Sequence, residues 1–86
     1  MIKGKTRSGF EYRISKKRLE NYELIEVLGQ VDRNPLLIPD VVKLIFDEEQ
    51  AKRLKDHLRD EEGLVSTEKI TNEIMEVFQN HKETKN

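Results

Sequence analysis

Asn34-Pro35-Leu36-Leu37-Ile38-Pro39-Asp40-Val41-Val42-Lys43-Leu44-Ile45-Phe46-Asp47-Glu48-Glu49-Gln50 is the stretch that decides how this chain is built. It opens and closes on helix punctuation. Asn34 suits the cap of a helix that has Pro35 at its first position, where a missing N–H costs nothing. Pro39 then bends that helix or restarts it, and Val42, Leu44, Ile45 and Phe46 follow. Asp47-Glu48-Glu49-Gln50 reads as a capping box, with Phe46 and Ala51 placed as its hydrophobic staple. Between these signals Leu36, Leu37 and Ile38 fan over about 200° at 100° per residue, wider than one core face covers. The helix is therefore either the buried centre of the domain or an element that faces both a core and a partner. The two readings are compatible, since a second copy can complete the burial.

Toward the carboxyl terminus, the helix opened at Asp47 turns Ala51, Leu54 and Leu58 inward. Glu48→Lys52 and Glu49→Arg53 form i,i+4 pairs outside, and Gly63 is placed as its left-handed cap. A last helix begins at Ser66, with Val65 and Ile70 as a second staple and Ile70, Ile74, Val77 and Phe78 as its stripe. Toward the amino terminus, Asn21 caps a helix carrying Leu24, Val27, Leu28 and Val31, weakened at Gly29 and stopped by Asp32-Arg33-Asn34-Pro35. Before it, Phe10, Tyr12 and Ile14 alternate with Glu11 and Arg13 as in a half-buried strand. Ile2–Lys5 is the partner strand across the turn Thr6-Arg7-Ser8-Gly9. Such a hairpin is barely stable alone, so its apolar face must lie on helices.

The expected fold is thus α+β and mostly α. Helices over 21–32, 35–46, 48–62 and 67–80 form a small four-helix, bundle-like domain with an N-terminal hairpin over 1–14. Residues 1–80 make one domain, and 81–86 make a flexible polar tail with nothing to bury.

Composition narrows the function classes. The 86 residues are 35% apolar and 38% charged, enough for one thin core. The absence of cysteine excludes disulfide scaffolds and zinc–thiolate sites. No apolar run approaches a membrane span and no signal-peptide stretch opens the chain, so the expected compartment is the cytoplasm. The net charge of −1 hides an asymmetry. Residues 1–18 hold seven basic groups against one acid, leaving +6, and residues 19–86 hold nine against sixteen, leaving −7. Lys3, Lys5, Arg7 and Arg13 of the hairpin are the candidates for charge-guided contact with an acidic partner or with the helical body of another copy.

No catalytic constellation is present in the sequence. His57 stands at the margin of an apolar stripe without a second ligand at i+4, and His81 lies in the tail. The four glycines stand singly, so no loop cradles a phosphate. The expectation is a protein that is not an enzyme and takes no cofactor or metal. Nucleic-acid binding by the basic hairpin is a competing class, disfavoured by the −7 body and by aromatics needed for packing. The candidate partner-binding residues are Leu36, Leu37, Ile38 and Val41.

The order of these motifs carries a resemblance. The basic hairpin is followed by Leu19-Glu20-Asn21-Tyr22-Glu23-Leu24-Ile25-Glu26, then the Asn34-Pro35-Leu36-Leu37 break and Val41-Val42-Lys43-Leu44-Ile45-Phe46. Glu49-Gln50-x-x-x-Leu54 and Gly63-Leu64-Val65 complete the series. Over residues 9–79 the chain resembles the small tail assembly chaperones of long-tailed bacteriophages and prophages of Gram-positive bacteria. It departs from them at Phe46-Asp47-Glu48, where relatives often carry Leu-Gly. The resemblance implies a non-enzymatic protein of the bacterial host cytoplasm, absent from the mature virion. Copies would coat the tape-measure protein as a homo-oligomer and help recruit the tail-tube protein. No membrane partner is expected from the lack of an apolar span, and nucleic acid stays the disfavoured alternative. A structural tail or head-completion protein is the further alternative.

Overall fold

The computed structural model describes residues 1–82. Strands β1 (Ile2–Lys5) and β2 (Glu11–Ile14) form an antiparallel pair. Ile2 lies opposite Ile14, Lys3 opposite Arg13, Gly4 opposite Tyr12 and Lys5 opposite Glu11. Thr6 closes the turn: its N–H donates to the Phe10 carbonyl, its carbonyl accepts from Gly9 N–H, and its hydroxyl accepts from Phe10 N–H. Gly9 makes this possible with φ +95°, a conformation glycine adopts without penalty.

Helices follow: α1 (Lys16–Leu19), α2 (Tyr22–Leu28), a 3-10 turn (Pro35–Leu37), α3 (Ile38–Ile45), α4 (Glu48–Leu58) and α5 (Thr67–Lys82). The protein is α+β and mostly helical, as the apolar periodicity predicts. Side-chain oxygens start nearly every helical segment. Ser15 accepts from Lys17 N–H, Asn21 from Glu23 N–H, Asn34 from Leu36 N–H, Asp47 from Gln50 N–H and Ser66 from Lys69 N–H. Each satisfies one of the donors a helix start leaves open.

Helix α3 is the hub and packs against α1, α2, α4 and α5. Its Val41 and Ile45 are fully buried with Leu24, Phe46, Leu54, Ile74 and Val77, and the hairpin face Phe10, Tyr12 and Ile14 closes the same core. Phe10 meets Phe46 edge-on, with ring centroids 6.1 Å apart. Tyr12 lies against Gly4, where an added Cβ would collide with the phenol. Its hydroxyl contacts His81 Nε2 at 2.9 Å and accepts from Asn80 Nδ2 at 3.2 Å.

Several boundaries differ from expectation, each for a local reason. The helix expected over 21–32 ends at Leu28, and a run of i→i+3 turn bonds from Gln30 to Asn34 takes its place after Gly29. The one expected over 35–46 divides, because Pro39 restarts it as α3 after the 3-10 turn. The one expected over 48–62 stops at Leu58. Asp60 Oδ1 accepts from Glu62 N–H at 2.8 Å and Leu64 N–H at 2.9 Å, which folds 60–64 into a turn and lets Arg59 bridge Val65. Gly63, at φ +83°, serves that turn and not a helix cap. The Leu64 bond leads the causes that hold the Asp60 carboxyl below the ordinary carboxylate range.

In place of the expected loose tail from residue 81, α5 runs on to Lys82, with His81 held on Tyr12; residues 83–86 of that tail lie outside the described residues. The short α1 was not expected at all. It is stabilised from outside, since Arg18 Nη1 donates to the carbonyls of Lys43 and Leu44 at the end of α3.

The Tyr12–His81 contact has a pH consequence. The Tyr12 oxygen accepts from Asn80, so its one proton is free for a neutral His81 Nε2 to accept. Burial holds the His81 pKa below its ordinary 6.5. The unfolded chain therefore takes up the proton at higher pH than the folded one, and stability rises with pH across that interval. Stability measured by urea unfolding should be full above pH 6.5 and decline as pH falls from there. His81→Gln should flatten this part of the profile; an unchanged slope between roughly pH 7 and 5 would refute the assignment.

Candidate partner-binding surfaces

The four residues expected to form an apolar contact surface separate in the structure. Asn34 and Pro35 fix the entry to the 3-10 turn, and Leu36 on that turn is 85% exposed. Leu37 is half-buried. Ile38 and Val41 are 5% and 0% exposed and belong to the core of α3, which corrects their placement as contact residues. The wide fan of Leu36, Leu37 and Ile38 is resolved by the 3-10 turn: its tighter winding sends the first side chain outward and the third inward. Two exposed apolar side chains on α2 were not anticipated, Tyr22 at 71% and Ile25 at 49%. Their i,i+3 spacing, on the face away from buried Leu24, was the available signal.

The four hairpin cations also separate. Lys3, Lys5 and Arg13 line a shallow groove of about 560 Å³ on the outer face of the hairpin, together with Arg53 of α4. The Arg53 guanidinium lies 5.3 Å from the Phe10 ring centroid and donates to the Glu11 carbonyl at 3.2 Å. Lys5 faces Glu11 across the strands, whereas Lys3 faces Arg13, a like-charge pair that weakens a sheet. Arg7 lies elsewhere, in a second groove between the hairpin turn, the end of α4 and α5. Its backbone N–H donates to Glu76 Oε2 at 2.8 Å. Phe10 and Tyr12 are both buried, so neither presents a ring face for base stacking.

His57 is exposed; its Nε2 lies 3.1 Å from Ser8 Oγ and 3.0 Å from the Ser8 carbonyl. It pins the hairpin turn to α4 beside Phe10. Among the described residues no group of three or more His, Cys, Asp or Glu side chains is arranged to hold a metal ion. Among the same residues no helix is long and apolar enough to cross a membrane. One acid escaped notice in so charged a chain. Glu73 of α5 is 5% exposed, and its Oε1 is buried without a hydrogen-bond partner.

Compared with family models, curated proteins and solved structures, the chain finds no match in any of the three.

The split between Leu36 and Val41 can be measured. Val41→Asp should cost at least about 4 kcal/mol, because it places an unpaired charge in the core. Leu36→Asp should stay within about 0.5 kcal/mol of the parent protein. Urea unfolding followed by circular dichroism separates them, and equal losses at both positions would show that Leu36 is packed.

Proposed function

We propose that this chain is a non-catalytic binding protein, a tail assembly chaperone that engages the tape-measure protein and helps recruit tail-tube subunits. The observation that carries the reading is Leu36: a large apolar side chain, 85% exposed, presented on a turn that Asn34 caps and Pro35 stiffens. Tyr22 and Ile25 add exposed apolar surface on α2, which packs against α3. An amphipathic helix buries its apolar face against apolar surface of its partner, and these residues offer such surface. The order of the sequence motifs supplies the choice of client, and the chemistry of the exposed residues agrees with it. The reading places the protein in the bacterial host cytoplasm and leaves the mature particle without it.

Co-expression with a long helical tape-measure fragment tests the reading. The parent protein should keep the fragment in the soluble fraction and co-purify with it. Leu36→Asp, with an unchanged circular dichroism spectrum, should weaken binding by roughly tenfold or more, the loss of one well-packed apolar anchor. A parent protein with no affinity for the fragment would overturn the proposal. So would low-salt, sub-micromolar binding to nucleic acid that fades steeply with added salt.

A further inference from the structure

The two edges of the hairpin differ. Along β2, the backbone groups that point away from β1 are taken up by α4. Arg13 N–H donates to Gln50 Oε1 at 3.1 Å, and the Glu11 carbonyl accepts from the Arg53 guanidinium at 3.2 Å. Thr6 N–H bonds the Phe10 carbonyl at the turn, so alternation along β1 aims the N–H and C=O of Gly4 at β2 and those of Lys3 and Lys5 outward. Among the described residues no hydrogen bond reaches the Lys3 or Lys5 backbone on that side. Strand β1 therefore presents an open edge, with donors and acceptors spaced for another strand.

The charge beside this edge selects what can pair with it. Lys3, Lys5 and Arg13 line the outer-face groove of about 560 Å³ with Arg53, and none of the first three forms an ion pair among the described residues. Glu11, opposite Lys5, is the one acid among the described residues of that lining. Lysine on an edge strand discourages pairing with a like copy, since a second β1 would set Lys3 and Lys5 against the same cations. An acidic strand meets the opposite condition, because each acid across from Lys3 or Lys5 is attracted. Nucleic acid offers the charge without the main-chain donors and acceptors of a strand, and the buried Phe10 and Tyr12 leave it no ring to stack on.

We infer that β1 accepts an extended acidic segment of another protein as a third strand. Main-chain bonds to Lys3 and Lys5 hold the segment, and its alternate acidic side chains lie over the cations of the outer face, as in strand addition generally. The side chains between those acids fall on the inner side, next to the half-buried Ile2 and Gly4, and are apolar or small. The segment is thus recognised by alternation, acid–apolar–acid, over the four residues of β1. Leu36 lies outside this surface, so the inference stands or falls apart from the client proposed above.

Fluorescence anisotropy of a labelled Glu-Val-Glu-Val-Glu-Val peptide, titrated with the full-length chain at low salt, is the experiment. The peptide should bind saturably, and the same peptide with lysine in place of glutamate should not. Backbone methylation separates strand addition from charge attraction. Peptides methylated on the glutamate amides or on the valine amides carry equal charge, but only one of these sets faces β1. One methylated peptide should bind like the unmodified one, and the other at least about tenfold more weakly, having lost its main-chain bonds. Lys3→Pro removes an outward N–H without breaking a bond inside the hairpin, and should weaken binding to a similar degree. The methylated peptides use the unaltered protein, so their outcome does not depend on that variant folding. In amide hydrogen exchange, Lys3 and Lys5 should gain protection when the peptide binds, while Gly4 is protected from the start. Four outcomes would overturn the inference: no binding of the acidic peptide, equal binding of the two methylated peptides, unchanged exchange at Lys3 and Lys5, or a single-stranded oligonucleotide of equal charge that binds as tightly as the peptide. Loss of client binding with the expected results intact would instead count only against the chaperone reading.

Discussion

The burial of Tyr12 is the constraint on which the rest of the molecule depends. A two-stranded hairpin has little stability in water, and isolated helices as short as α2, α3 and α4 have little more. Neither half folds without the other. Tyr12 joins them: Gly4 leaves room for its ring on one strand, the core takes its apolar body, and Asn80 and His81 take its hydroxyl at the far end of the chain. A hydrogen bond spanning 69 residues thus ties the second strand to the last helix. In a chain with 38% charged residues and a thin core, such a bridge makes the domain one cooperative unit.

Local chemistry was legible in the sequence where it acts over two to four residues, and illegible where it acts over forty. Ser66, Asn21, Asn34 and Asp47 announce their helices because a cap bonds an N–H two or three positions ahead. Gln50 shows the limit. Within a capping box its side-chain oxygen would turn back to the cap's own N–H, but here it accepts from Arg13 N–H at 3.1 Å and ties α4 to the hairpin. Arg18 is a second case, since it stabilises the ends of two helices at once across 25 residues. The end of α4 was missed for a different reason. Gly63 attracts attention as a helix cap, yet Asp60 has already turned the chain by accepting from two backbone N–H groups.

The candidate surfaces were legible to the same degree. Periodicity shows that Leu36, Leu37 and Ile38 cannot share one face, but not which of them the fold covers, because that depends on where the 3-10 turn gives way to α3. The hairpin lysines and arginines read as one basic cluster in sequence. The turn divides them, leaving Lys3, Lys5 and Arg13 on the outer face and Arg7 in the groove that Glu73 also lines. Glu73 had no sequence signal whatever. An acid on a long amphipathic helix is ordinary, and only the packing around it makes it buried and unbonded.

What distinguishes Leu36 from any exposed leucine is how little freedom it retains. Asn34 accepts from its N–H, the proline before it has a fixed φ, and Ile38 two positions later is locked in the core. A side chain held this way loses less backbone entropy on meeting a partner than one on a mobile loop, so more of its apolar contact appears as affinity. A small protein with a thin core can keep such an apolar residue in water because the caps and the neighbouring Ile38 stabilise the turn whether or not the leucine is covered.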